Sequence, residues 1–213
     1  TMLSTAYGMS SANPNIAEEA DQDNRMLTRF TRRRLSVEEM RDGLLAIDGT
    51  LDLTMGGTLQ TGRGTDAENN QARLSLNPEK LKRRTVYLPL RRANLPTLLN
   101  LFDFGDATTA SGKRQLTNVA TQALFWLNSD FLNERAQNVA KSLLDRNDMS
   151  DAARVETAYS HILNRRPDNG EIDQALNYVA VFKQKFAGEK ADHKAWQSLC
   201  RVLMSSNDFV YVD

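Results

Sequence analysis

Apolar residues recur at helical spacing through the last third of the chain, from about residue 129 to residue 207. Residues three and four apart share one face of a helix, so each run of this kind predicts one inward stripe. The stripes are Leu132, Ala136, Val139 and Leu143; then Val155, Ala158, Tyr159 and Ile162; then Ile172, Ala175, Leu176, Val179, Phe182 and Phe186; then Trp196, Leu199, Cys200 and Leu203. The third run follows Asp168 and Glu171, which have the spacing of a capping box at the start of a helix. Short connections between such helices favour antiparallel neighbours. The pattern predicts a packed C-terminal helical part over residues 129–213.

The N-terminal part, residues 1–128, mixes helical segments with polar stretches. Ser36 and Glu39 have the spacing of a capping box, in which each side chain satisfies a backbone donor of the other. Apolar residues at helical spacing follow, which predicts a helix over residues 36–48. Residues 56–73 combine glycines with polar residues and predict a long loop, a length that in compact domains is usually functional or disordered.

Two more segments complete the predicted fold. Residues 85–90 alternate apolar side chains among strand formers, and Pro89 confines them to an edge strand, with residues 73–76 as a weaker partner. Residues 117–127 predict a helix. Its expected inward face is Ala120, Ala123, Leu124 and Leu127. The chain is thus predicted to be mainly α: one multi-helix, bundle-like domain over residues 1–213, with one short β-ribbon and a long glycine-rich loop.

Charge and cysteine content exclude several classes of function. The chain has 27 lysines and arginines against 27 aspartates and glutamates, so its formal net charge is zero. Nucleic-acid binders usually carry a basic surplus that neutralises phosphates, and no nucleic-acid partner is expected. The longest apolar run covers residues 123–127, far short of the ~20 residues that span a membrane. The single cysteine, Cys200, excludes an intrachain disulfide and a thiolate metal cluster.

The sequence contains no catalytic constellation of familiar spacing. Residues 105–113 end in Gly-Lys, but the glycines are too far apart for a phosphate-binding loop. His161 and His193 lie on different predicted helices, without the spacing of a zinc site. A carboxylate metal site at Asp103 and Asp106 is a minor alternative, because loop carboxylates are usually solvated or capping. The catalytic residues are unknown, no metal site is expected, and the pattern is more typical of a non-enzyme.

Clusters of arginine are the strongest candidates for a functional site. Three arginines precede the capped helix, and others flank the predicted strand. The resulting candidate anion-binding or polar cluster is Arg33, Arg34, Arg91, Arg92, Arg114, Asp103 and Asp106. In one interpretation the arginines pair with carboxylates such as Glu38, Glu39 and Asp42 and lock the strand against the first helix. In the other they form a basic cleft for an anionic saccharide. The balanced net charge favours the first.

Several segments, in the same order, resemble a planctomycete-type family catalogued as domain of unknown function 1553. The family stretch "NRLL…RRRLEAEAIRDALL" resembles residues 24–27 and 32–42 of this chain. Its "TTVPTQALFLLN" segment is similar to residues 117–128, and its "LNSNEFLYVD" terminus is similar to residues 205–213. Shorter matches fall at residues 5–11, 55–57, 84–92 and 101–106, with Gly105 where the family often has proline. The resemblance covers nearly the whole chain.

The resemblance implies that this is the C-terminal part of a longer exported protein, located in the periplasm or cell envelope. In that family a companion domain of unknown function usually comes first, often after a c-type cytochrome domain. Haem would be attached in that upstream region, because this fragment lacks a CxxCH motif. No cofactor is therefore expected here. The opening residues lack the basic and apolar regions of a signal peptide, which also favours a fragment.

Two functional hypotheses follow. In the first, the chain is a non-catalytic helical module that docks on upstream domains of the same chain or on another envelope protein. In the second, it completes an enzyme or binding site for an anionic carbohydrate, in polysaccharide degradation. The residues of that site would be Arg91, Arg92, Arg114, Asp103 and Asp106. The first is favoured because no nucleophile, metal-ligand set or acid–base pair stands out.

Overall fold

The computed structural model describes residues 8–11, 21–56, 80–88, 90, 95–105, 112, 114, 116–186, 188 and 190–212. Across these residues the elements are β1 (Arg33–Arg34), α1 (Val37–Ile47), a 3₁₀ turn (Thr85–Tyr87), α2 (Thr97–Leu101), α3 (Ala120–Asn128), α4 (Asp130–Leu144), α5 (Asp151–Leu163), α6 (Asn169–Lys185), α7 (Ala191–Met204), α8 (Asn207–Val210) and β2 (Tyr211–Val212). The predicted fold class, mainly α with one short ribbon, is confirmed. Residues 57–73 of the predicted loop lie outside the described residues.

Helix α7 lies at the centre of the fold. It packs against α4, α5 and α6, and α1 covers another side of α4. Trp196 of α7 is completely buried, as are Leu132 and Val155 at the facing positions of α4 and α5. The predicted stripes of α4, α5 and α7 are confirmed, because their members all belong to this core. The predicted stripe of α6 is confirmed except at its end, where Phe186 is 48% exposed.

Side-chain caps place the ends of the helices where the sequence predicts them. Ser36 and Glu39 form the predicted capping box of α1, and Asp168 and Glu171 form an equivalent box on α6. Each box satisfies backbone N–H groups that the first turn of a helix leaves unpaired. Helix α5 ends at Asn164, whose left-handed backbone (φ 54°) is a common helix terminator.

The β-ribbon lies elsewhere than predicted. Strands β1 and β2 pair antiparallel, with Arg33 opposite Val212 and Arg34 opposite Tyr211, so the ribbon joins the segment before α1 to the end of the described chain. The predicted edge strand at residues 85–90 is wrong, because Thr85–Tyr87 forms a 3₁₀ turn.

The partly buried carboxylate of Asp42 explains that turn. The Asp42 carboxylate accepts hydrogen bonds from the backbone N–H of Thr85 at 2.8 Å and from its hydroxyl at 2.6 Å. The Arg41 guanidinium, also on α1, donates to the backbone carbonyl of Arg83 at 2.9 Å. Side chains of α1 thus form hydrogen bonds with backbone groups that a neighbouring strand would otherwise pair with. These contacts override the strand propensity of this segment.

Candidate functional site

An ion pair joins β1 to the turn after α2. Arg34 Nη2 lies 2.6 Å from Asp103 Oδ2, and the two side chains are 8% and 16% exposed. Arg34 Nη1 donates to the backbone carbonyl of Thr117 and, at 3.3 Å, to the side-chain oxygen of Gln122. One guanidinium therefore ties together three segments that are far apart in the chain, which is a use suited to its planar fork of donors.

Asp103 is held by more than the arginine. Its carboxylate accepts from the Thr117 backbone N–H at 2.9 Å and from the Thr117 hydroxyl at 2.7 Å. Partial burial opposes ionisation of Asp103, but the hydrogen bonds from Thr117 and Arg34 outweigh it and lower the pKa of the carboxyl. Because Thr117 is engaged in this way, the helix predicted from residue 117 begins at Ala120 instead.

Gln122 and Trp126 form the inward face of α3. The Gln122 amide donates to the backbone carbonyl of Leu101 at 2.9 Å, and the side chain is buried. Trp126 is 7% exposed, with its ring centroid 5.2 Å from that of Phe102 and 6.5 Å from that of Phe209, both in edge-on geometry. These two residues, one turn apart, fix the rotation of the helix about its axis.

The opposite face of α3 is apolar and exposed. Leu124 is 55% exposed and Leu127 is 59% exposed, and Ala120 and Ala123 are also exposed. The prediction that these four residues face inward is wrong, because the polar contacts of Gln122 turn them outward. We call Ala120, Ala123, Leu124 and Leu127 the outward stripe. Leu116 and Val119, 63% and 45% exposed, extend it beyond the start of the helix.

A groove of about 290 Å³ runs beside the outward stripe. Its lining includes Ala123 and Leu127 of the stripe and Asn207 and Val210 of α8. The exposed apolar helix therefore borders a concave surface, which is the usual shape of a site that receives a side chain from a partner.

The other described candidate arginines pair with carboxylates of the first turn of α1. Arg33 donates to both oxygens of Glu39, each at 3.0 Å. This arginine, with further hydrogen bonds from Ser36, lowers the pKa of Glu39 to about 2. Arg114 Nη1 lies 2.7 and 2.8 Å from the two oxygens of Glu38.

The structure thus brings together one pair of the candidate residues, Arg34 with Asp103, and places Arg33 and Arg114 on α1. Arg91, Arg92 and Asp106 lie outside the described residues. The described arginines of the cluster each contact a carboxylate, an arrangement in which their charge already has a protein partner.

A second buried ion pair was not predicted from the sequence. Arg135 Nε lies 2.6 Å from Asp48 Oδ2, although its N–H does not point at the oxygen, so the contact is ionic rather than a directed hydrogen bond. The Asp48 side chain is completely buried and also accepts from the Asn138 amide at 2.9 Å. The sequence did contain a hint of this pair, because the charged residue Arg135 precedes Ala136 on the inward side of α4. The pair fastens the end of α1 to α4.

The described residues contain no group of three or more histidine, cysteine, aspartate or glutamate side chains placed to hold a metal ion. Cys200 is completely buried, and this burial raises the pKa of its thiol to about 12. A thiol in that state is a weak nucleophile. None of the described helices has both the length and the apolar character needed to cross a bilayer.

The fold and these contacts define a mainly α-helical structure. Arginine–carboxylate ion pairs link its segments, and helix α3 has an exposed apolar face. The chain belongs to the family described as PSD1, protein of unknown function (DUF1553), whose model matches residues 1–179. The resemblance drawn from the sequence is confirmed for that family. No curated protein and no solved structure matches the chain.

Proposed function

We propose that this chain is a non-catalytic helical module of a longer exported protein, and that it docks on another protein surface through the outward stripe of α3. The partner is either the upstream region of the same chain or another protein of the cell envelope. The observation that carries the proposal is the orientation of α3, which buries a glutamine and exposes two leucines.

Exposed leucines at one-turn spacing are costly to leave in water. Burial of a leucine side chain stabilises an assembly by about 1.5–3 kcal/mol when it is complete. Leu124 and Leu127 are exposed on one face of α3, and Leu116 and Val119, just before the helix, are exposed as well. Exposed apolar side chains grouped in this way often mark a protein–protein contact. The groove beside the stripe makes this surface concave. A partner that covers the leucines could also place a side chain in the groove.

Charge distribution supports the same role. The sequence from Gln115 to Ser129 contains no charged residue, whereas a quarter of the whole chain is charged. The centres of protein interfaces are depleted of charge in the same way. The backbone of α3 is also held in place by Gln122, Trp126 and the Arg34–Asp103 pair, so docking would require little ordering of the helix.

The competing hypothesis, a site for an anionic saccharide, is less well supported by the same geometry. At the described arginines of the cluster, a sulfate or carboxylate group would compete with Asp103 for Arg34, with Glu39 for Arg33 or with Glu38 for Arg114. Removing one partner from a buried ion pair is costly in free energy. Arg34 is the most buried of the three arginines, so it is the least accessible to an added anion. The haem domain implied by the resemblance belongs to the upstream region in this proposal, and no cofactor is placed here.

Capture of the upstream region tests the proposal. The 213-residue chain, immobilised, is expected to retain the separately produced upstream region, or a defined envelope protein if that is the partner. Leu124→Gln together with Leu127→Gln should weaken capture by at least about tenfold, since two buried leucines are lost. Glutamine is a good helix former, so α3 itself should persist.

Val181→Gln is the matched control. Val181 lies on α6, is 45% exposed and is not part of the outward stripe, so this variant should capture the partner as the unchanged chain does. Equal capture by the double variant and the unchanged chain would contradict the proposal. So would a failure of the unchanged chain to bind any protein partner, a second copy of itself included.

A further inference from the structure

The small and large side chains of the outward stripe are arranged in an order that suits pairing with an identical helix. The stripe contains two small residues followed by two large ones, Ala120 and Ala123, then Leu124 and Leu127. Ala120 and Leu127 lie equally far from the midpoint between residues 123 and 124, and Ala123 and Leu124 lie equally far from it too. Reversing the helix about this midpoint therefore exchanges every alanine with a leucine.

A twofold axis through that midpoint would bring two copies of α3 together in antiparallel orientation. Ala120 would then meet the partner's Leu127, and Ala123 would meet the partner's Leu124. Each layer would hold one small and one large side chain, which lets two helices approach closely without gaps. A parallel pair would instead oppose leucine to leucine and alanine to alanine, so it would pack with steric crowding in some layers and voids in others.

The sequence of the stripe is compatible with an identical partner. Two copies of the same surface repel one another when it carries a net charge, but residues 115–129 carry none. The Arg201 guanidinium donates to the Leu127 carbonyl at 3.4 Å, so in an antiparallel pair the two copies of this cation would lie at opposite ends. Helix α3 is nine residues long, which corresponds to about 13 Å. Leu116 and Val119 precede the helix and would extend the contact at both ends of a twofold pair.

We propose that the partner of the outward stripe is the same stripe of a second copy of this chain, paired antiparallel about the 123/124 midpoint. This rests on the proposed docking role of α3 and names its partner as another envelope protein, a second copy of this chain, in place of the upstream region. The contact is isologous, since the same patch is used by both copies. Because a nine-residue helix buries less area than most stable interfaces, the dimer is expected to be concentration-dependent.

Cysteine cross-linking tests the geometry directly. Two variants are prepared, Ala120→Cys and Leu127→Cys, and the native Cys200 does not interfere because it is completely buried. In the antiparallel pair, position 120 faces position 127 of the partner. Two copies of position 120 are separated by about 10 Å along the helix axis, which exceeds the Cα separation of about 4–7 Å that a disulfide allows.

Mild oxidation of the mixed variants should therefore give a disulfide-linked dimer on a non-reducing gel, and each variant alone should stay monomeric. Strong cross-linking of each variant with itself and little in the mixture would indicate a parallel pair and overturn the proposal. The absence of any cross-link at concentrations up to about 1 mM, a range that covers weak association, would also overturn it.

Analytical ultracentrifugation, which measures the dimer dissociation constant, distinguishes a failure of self-pairing from a failure of the docking role. The unchanged chain should form dimers, and Leu124→Gln with Leu127→Gln should raise the dimer dissociation constant by at least about tenfold. A monomer at every concentration, combined with loss of upstream-region capture by the double variant, would refute self-pairing and leave docking intact. A monomer whose double variant captures the upstream region normally would refute both.

Discussion

Arg34 Nη2 lies 2.6 Å from Asp103 Oδ2, and this ion pair sets which face of α3 is exposed. Asp103 holds Thr117 just before the helix, while Arg34 contacts Gln122 inside it. Together they turn Gln122 inward, and the leucines on the other side of the helix face outward. A polar network thus creates the apolar surface to which we assign the function.

Asp103→Asn should destabilise the fold by about 3 kcal/mol, because it leaves the buried Arg34 charge without its carboxylate. Asparagine tolerates the left-handed backbone at this position (φ 59°), so strain should not contribute. Urea unfolding measures the change. Asp23→Asn, which removes the exposed partner of Arg25, is the control and should cost less than about 0.5 kcal/mol. Equal losses in the two variants would refute the structural role of the pair.

Truncating side chains on the two faces of α3 should change the free energy of unfolding by very different amounts. Trp126→Ala removes a buried ring from the aromatic cluster and should lower the free energy of unfolding by about 3–5 kcal/mol. Leu127→Ala, next in sequence but exposed, should change it by under about 0.5 kcal/mol. Thermal or urea unfolding of the dilute monomer compares them. If Leu127→Ala proved as costly as Trp126→Ala, the orientation of α3 described here would be incorrect.

The Glu39–Arg33 pair should make stability depend on pH in the acid range. The pKa of Glu39 falls from its ordinary 4.5 to about 2 in the fold, so the ionised form is favoured by folding. Its contribution is fully present well above pH 4.5 and is lost as the pH falls towards 2. Glu39→Gln keeps the capping geometry but removes the charge.

The stability gap between the unchanged chain and Glu39→Gln should therefore be largest near about pH 7 and should narrow towards about pH 3. Urea unfolding at a series of pH values measures it. A gap that stays constant across this range, or widens in acid, would show that the Arg33 contact does not favour the ionised carboxylate.

Local patterns predicted much of the fold. The stripes of α4, α5 and α7 and the capping boxes at Ser36 and Asp168 depend on residues within one or two turns of each other. Such features are visible in the sequence because the interacting groups are close along the chain. The family resemblance also came from continuous segments.

The features missed by sequence reasoning depend on contacts between distant residues. The rotation of α3 follows from a hydrogen bond between Arg34 and Gln122, 88 residues apart, and it overrides an alanine–leucine pattern that otherwise predicts burial. The 3₁₀ turn at Thr85 depends on Asp42, 43 residues earlier. Each strand of the ribbon is two residues long, too short for any alternation to appear.

The candidate site was predicted in part. The sequence allowed two alternatives for the arginines, and two of them pair with Glu38 and Glu39 as the first alternative described. The partner of Arg34 is Asp103, itself a candidate residue that was not assigned to that arginine. The exposed apolar face of α3 was missed because its residues were assigned to the core.

The accessibility of position 124 tests the central claim most directly. Leu124→Cys should be alkylated rapidly in the dilute 213-residue chain and at least about tenfold more slowly where the proposed partner covers the outward stripe, either in the proposed longer protein or at a chain concentration that favours self-pairing. Val181→Cys on α6 should react at about the same rate in both, which controls for general changes in reactivity. Equal alkylation of Leu124→Cys in the two contexts would show that the stripe stays open, and would contradict a docking role for α3.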